Sequence, residues 1–181
     1  MLLEDYIKEM KWIYVNARWE VYYELALMPL LKECCTRHTK VVPIHATRKP
    51  GRKSSRKHFI EMYSYEDSKG KRCGVPDYVI VPEESTYENP QEAMVFIEFK
   101  APIALVDKYM PLKIETHLEE LTSQSKVCEY IIFTDGITWF FCKSKENELT
   151  WSPEAICLFS NKLDDLRKKI VEFINAASLN R

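Results

Sequence analysis

Residues 74–102 read GVPDYVIVPEESTYENPQEAMVFIEFKAP. Two apolar runs, PDYVIVPE (76–83) and EAMVFIEFK (92–100), flank a polar segment that contains a proline. Their Val, Ile, Tyr and Phe content predicts two strands. Charges interrupt both runs: Asp77 in the first, Glu98 and Lys100 in the second. Side chains alternate across a strand, so Glu98 and Lys100 share one face while Ile97 and Phe99 share the other. A lone buried carboxylate or ammonium costs several kcal/mol, so these charges must be paired, solvated at an edge or bound to a metal. If the strands are neighbours, Asp77 at the start of one approaches Glu98 near the end of the other. Two close carboxylates raise each other's pKa unless a cation lies between them. Carboxylate oxygens, a backbone carbonyl and waters are the ligands that Mg²⁺ prefers. The plain alternative is a Pro-Asp turn and a solvent-facing Glu-x-Lys ion pair worth little.

Working outward, residues 3–35 carry apolar side chains at helical spacing, with a kink or division expected at Pro29. KVVPIHA (40–46) reads as a short strand, and HFIEMYSYE (58–66) alternates like a strand with one face partly exposed. DSKGKRCG (67–74) supplies a turn. Pro102 ends the strand that carries Lys100. A helix is expected from Leu112 to Lys126, with Ile114, Leu118 and Leu121 on one face. EYIIFTDGITWFFCK (129–143) places Asp135-Gly136 between two apolar runs, a strong hairpin signal. NKLDDLRKKIVEFINAA (161–177) reads as an amphipathic helix with Asn161 as its N-cap. The order predicts one α/β domain over residues 1–181, a central mixed sheet flanked by helices on both faces.

Composition narrows the class. The chain has 181 residues, 46% hydrophobic and 29% charged, which suits one globular domain and excludes the disordered class. No apolar run approaches the roughly 18 residues of a membrane span, and the N-terminus lacks the apolar core of a signal peptide. The six cysteines have no zinc-site spacing and read as small core residues of a reduced, cytoplasmic protein. The four glycines leave no glycine-rich phosphate loop.

A net charge of −1 argues against a protein that binds nucleic acid over its whole surface. RKPGRKSSRK (48–57) is the local exception, with Arg48, Lys49, Arg52, Lys53, Arg56 and Lys57 and no acid. Such a run is either a solvated loop or an arm that grips phosphates by displacing counterions.

Pro76-Asp77 followed by Glu98-Phe99-Lys100 resembles the PD-(D/E)xK nuclease signature. The longer string, PDYVIV with VFIEFKAP and later IIFTDGITWFF, is similar to the N-terminal nuclease domain of type I restriction enzyme R subunits, from about Glu20 to Lys143. The resemblance implies a restriction-endonuclease-like three-layer core and a Mg²⁺-dependent (or Mn²⁺-dependent) deoxyribonuclease. Asp77, Glu98 and the carbonyl of Phe99 would hold the metal, and Lys100 would serve the attacking water and the phosphate. It also implies an acid on the first helix, for which Glu20 is the first choice and Glu24 the second. The family usually carries a glutamine followed four residues later by a tyrosine on the helix after Glu-x-Lys. Here His117 stands where the glutamine would align, with Gln124 further along.

The first functional reading is therefore a metal-dependent endonuclease acting on DNA, with RNA not excluded. It would act alone, with a separate ATPase or restriction-type partner, or as an excised domain. The alternatives are a catalytically silent relative that binds nucleic acid or a protein partner, and a small α/β binding module.

Overall fold

In the computed structural model, which describes residues 2–17, 19–44, 60–104, 108–146, 148–152 and 155–179, the chain opens with α1 (Leu3–Asn16) and α2 (Glu20–Cys34). Five strands follow: β1 (Thr39–Pro43), β2 (Tyr65–Glu66), β3 (Arg72–Gly74), β4 (Tyr78–Pro82) and β5 (Val95–Phe99). A 3-10 turn (Ile114–His117) leads into α3 (Leu118–Ser125). Then come β6 (Tyr130–Thr134), β7 (Thr138–Lys145), β8 (Glu148–Trp151), β9 (Ile156–Cys157) and α4 (Leu163–Leu179).

Seven strands form one mixed sheet in the order β1-β4-β5-β6-β7-β8, with β9 also paired to β7. The two runs that carry the charges are antiparallel neighbours, Tyr78 opposite Ile97 and Ile80 opposite Val95. β5 and β6 are the parallel pair, Glu98 opposite Phe133. A parallel pair needs a crossover, and the segment containing α3 provides it. β2 and β3 form a separate small sheet.

The alternation of each strand sorts the core into two layers. Tyr78, Ile80, Val95, Ile97, Phe99, Ile132 and Trp139 pack under α1, α2 and α4. Those helices contribute apolar stripes such as Tyr6, Met10 and Ile13, and Leu166, Ile170 and Ile174. Val79, Val81, Phe96, Ile131 and Phe133 face the other way, against Ile114 and Leu121. The expected mixed sheet with helices on both faces is what forms. By parity Asp77, Glu98 and Lys100 belong to the second layer, under α3.

The predicted turn at Asp135-Gly136 joins β6 to β7. Gly136 has φ +86°, and Asp135 Oδ1 accepts the Ile137 and Thr138 N–H groups. The Tyr6 hydroxyl donates to the Gly136 carbonyl, tying α1 to this corner.

Four expectations need correction. The N-terminal stretch forms two helices, one ending at Asn16 and one beginning at Glu20, and does not divide at Pro29. Pro29 lies inside α2 on its exposed face, where water can take the carbonyl that a proline leaves unpaired. Residues 58–66 are not one strand: 60–62 make a helical turn, and only Tyr65 and Glu66 enter β2. Ile60 and Tyr63, three apart, are both buried, and the Ser64 hydroxyl closes the turn on the Ile60 carbonyl. The helix expected from Leu112 begins as the 3-10 turn at Ile114. Asn161 does not cap α4; its Oδ1 accepts the Cys157 N–H instead. The short strands β8 and β9 had no clear sequence signal. Among the described residues, no helix is long and apolar enough to cross a membrane.

Candidate active site

Asp77 sits immediately before β4 and faces the end of β5. Its backbone carbonyl accepts the Ile44 N–H at 2.8 Å, which fixes this corner to the end of β1. Its Oδ2 accepts the Phe99 N–H at 2.8 Å. In an extended strand the N–H and C=O of one residue point to the same side. The Phe99 carbonyl therefore projects toward the Asp77 side of β5, as the Lys100 N–H turns to the Thr134 carbonyl on the other side.

Glu98 is buried and both its oxygens are engaged. Oε1 lies 2.7 Å from Lys100 Nζ, and Oε2 accepts Gln124 Nε2 at 2.6 Å. Burial, and then the charge of Asp77, push its pKa up to about 8, although Lys100 pulls the other way. Lys100 Nζ also lies 3.0 Å from Glu120 Oε2 on α3. Burial disfavours the ammonium, but the two carboxylates outweigh that and hold its pKa above the usual lysine range. For Glu120, burial alone would raise the pKa; the hydrogen bond and charge of Lys100, together with the hydrogen bonds of Tyr65 and Glu98, outweigh it, so the carboxyl stays below its usual range. One ammonium thus serves two acids of different depth, and the deeper one remains the harder to ionise.

Gln124 is fully buried on the apolar face of α3, three residues beyond Leu121. It is Gln124, and not His117 at the position where the family's glutamine would align, that donates to Glu98. His117 instead packs its ring against Phe133, with centroids 5.0 Å apart, and brings Nδ1 within 3.7 Å of Glu120. A polar residue on an otherwise apolar helix stripe was the sequence signal for Gln124. Tyr65 and Glu120 had none: the Tyr65 hydroxyl donates to Glu120 Oε1 at 3.2 Å across a separation of 55 residues.

The first-choice helix acid, Glu20, is exposed at the start of α2. Glu24, one turn on, is buried, and its backbone carbonyl accepts the Tyr78 hydroxyl at 2.7 Å. Burial and the contact to Tyr78, the residue that follows Asp77, distinguish Glu24 from the exposed Glu20. Arg48, Lys49, Arg52, Lys53, Arg56 and Lys57 lie outside the described residues.

The donor set around Asp77 and Glu98 fits a hard divalent cation. Two carboxylates and a strand carbonyl are oxygen ligands, and Mg²⁺ commonly binds through one or two carboxylates while keeping waters. Burial first, and then the charge of Asp77, disfavour an ionised Glu98, and a cation would relieve both. Among the described residues, no group of three or more His, Cys, Asp or Glu side chains is placed to hold a metal ion, so the candidate donors are the two carboxylates and the strand carbonyl.

No protein-family model matches the chain, and no curated protein matches it. Among solved structures, a chain of the DrdV–DNA complex, determined by cryo-electron microscopy, is similar with a TM-score of 0.52 and 13% identity. The match covers 94% of this chain and 14% of that one, so this chain spans a small part of its neighbour's length. At that identity the likeness shows the fold, a mixed sheet between helices of the restriction-endonuclease-like kind.

Proposed function

We propose that this protein is a divalent-cation-dependent nuclease of the PD-(D/E)xK type that hydrolyses phosphodiester bonds in DNA. The observation that carries the reading is the convergence of Asp77, Glu98 and Lys100 at the open end of β4 and β5. Asp77, Glu98 and the Phe99 carbonyl would hold Mg²⁺ or Mn²⁺, with Glu24 the helix acid in place of Glu20. A cation bound there supplies positive charge against a phosphate oxygen and makes water a usable nucleophile near neutral pH. Lys100 donates its N–H groups toward the phosphate oxygens where negative charge grows. Gln124 holds Glu98 in place by its second oxygen. DNA as the substrate is supported by the structural neighbour, which is a DNA complex. The basic run 48–57 would grip the backbone without reading sequence.

The closed Glu98–Lys100–Glu120 chain of ion pairs favours one second reading, a silent module in which these charges only satisfy each other. Supercoiled and single-stranded circular DNA, incubated with wild type and with Asp77→Ala and Lys100→Ala in Mg²⁺ or Mn²⁺, separates the two. The nuclease reading expects cleavage that EDTA abolishes and that each variant loses by about a hundredfold or more while still folded. A wild type that binds no cation and cuts neither substrate gives the molecule to the second reading.

A further inference from the structure

Within the nuclease reading, on which this inference rests, Lys100 has a difficulty. Its nearest acceptor is Glu98 Oε1 at 2.7 Å, and Glu98 is also a proposed cation ligand. The other Glu98 oxygen is engaged by Gln124. When Glu98 turns to a dication, the ammonium loses its first partner and gains a repulsive neighbour. Lys100 is a flexible four-carbon stem, partly exposed, and without a second anchor it would swing to water. Among the described ion pairs, Glu120 is the other carboxylate within reach, 3.0 Å from Nζ.

Glu120 is itself held. Its second oxygen accepts the Tyr65 hydroxyl, and Tyr65 is a buried residue of β2. The ring of Tyr65 lies so close over Gly74 that a Cβ there would come within 2.7 Å of the hydroxyl and 2.9 Å of Cζ. The small β2–β3 sheet, which contributes no strand to the main sheet, thus has a use: it presents the Tyr65 phenol to Glu120, with Gln124 also beside the hydroxyl. We infer that Glu120, fixed by Tyr65, is the positioning residue for Lys100, holding the ammonium at the scissile phosphate while Glu98 serves the cation.

A double-mutant cycle on Mn²⁺ affinity, read by calorimetry without DNA, tests this together with cleavage kinetics. With Glu120 gone, Lys100 competes harder for Glu98. Glu120→Ala should therefore weaken Mn²⁺ binding by about threefold to tenfold in the native background and leave it unchanged beside Lys100→Met. A purely structural role would weaken binding equally in both backgrounds. In cleavage, Glu120→Ala should lower kcat by about tenfold or more with KM for DNA little changed. Gly74→Ala, which displaces the Tyr65 hydroxyl without touching a charged group, should shift both readouts in the same direction but less. Equal Mn²⁺ effects with and without Lys100, or native kcat in Glu120→Ala, overturn the assignment. A native protein that neither binds Mn²⁺ nor cuts DNA fails earlier and overturns the nuclease reading itself.

Discussion

Neutralising Asp77 should stabilise the cation-free protein while destroying its site. Burial, and then the charge of Asp77, push the Glu98 pKa up from 4.5 to about 8. Because the folded pKa is raised, this group's contribution to stability is fully present below the unfolded value. It is lost progressively as pH rises from about 4.5 to about 8. Burial is the larger cause and Asp77 the second, so Asp77→Asn should recover a minority, about 1–2 kcal/mol at pH 8. The asparagine oxygen can still accept the Phe99 N–H, so the corner keeps its hydrogen bond. For a chain of this size the melting temperature should rise by about 2–8 °C. Thermal melts by circular dichroism in EDTA, at pH 8 and at pH 5.5, measure it. The gain should shrink at pH 5.5, where Glu98 is already protonated in both proteins. Added Mg²⁺ should then raise the melting temperature of wild type and leave Asp77→Asn unmoved. A variant that melts below wild type at pH 8, or that still responds to Mg²⁺, refutes the proposed opposition of Asp77 and Glu98.

Other perturbations follow from the same contacts. Gln124→Leu strands a buried Glu98 oxygen and should cost about 1–3 kcal/mol in denaturant melts, with reduced cleavage and a higher Mg²⁺ requirement. Gly136→Ala places a Cβ 2.6 Å from Met10 Cε at a positive φ and should lower stability by about 2 kcal/mol or more in thermal melts. Replacing Arg52, Lys53, Arg56 and Lys57 together should weaken DNA binding on every sequence, with the log–log salt slope on duplex DNA falling by up to about 3.6 in fluorescence anisotropy titrations. An unchanged slope would return that run to the status of a solvated loop.

Much of the frame was legible because the strands at 76–100 are short, apolar and interrupted by charges of fixed parity. Alternation alone put Glu98 and Lys100 on one face, and the Asp-Gly turn announced β6 and β7. What stayed hidden depends on distances across the chain. Residues 58–66 fit a period of two as well as they fit a turn, and only the joint burial of Ile60 and Tyr63 decides between them. Glu20 and Glu24 share a helical face in sequence, and the packing of α2 against Tyr78 separates them. His117 and Gln124 are both polar residues of one helical segment. The register of α3 over β5, which no local pattern encodes, is what delivers Gln124 to Glu98. Tyr65 and Glu120 could be joined only by the fold.

The central claim is that Asp77 and Glu98 form a divalent-cation site served by Lys100. Crystals soaked in Mn²⁺, with anomalous data collected at the manganese edge, test it most directly. A peak is expected within coordination distance of Asp77, Glu98 and the Phe99 carbonyl, with Lys100 moved from Glu98 onto Glu120. Anomalous density elsewhere, with the Glu98–Lys100 pair intact and no manganese between the carboxylates, would contradict it.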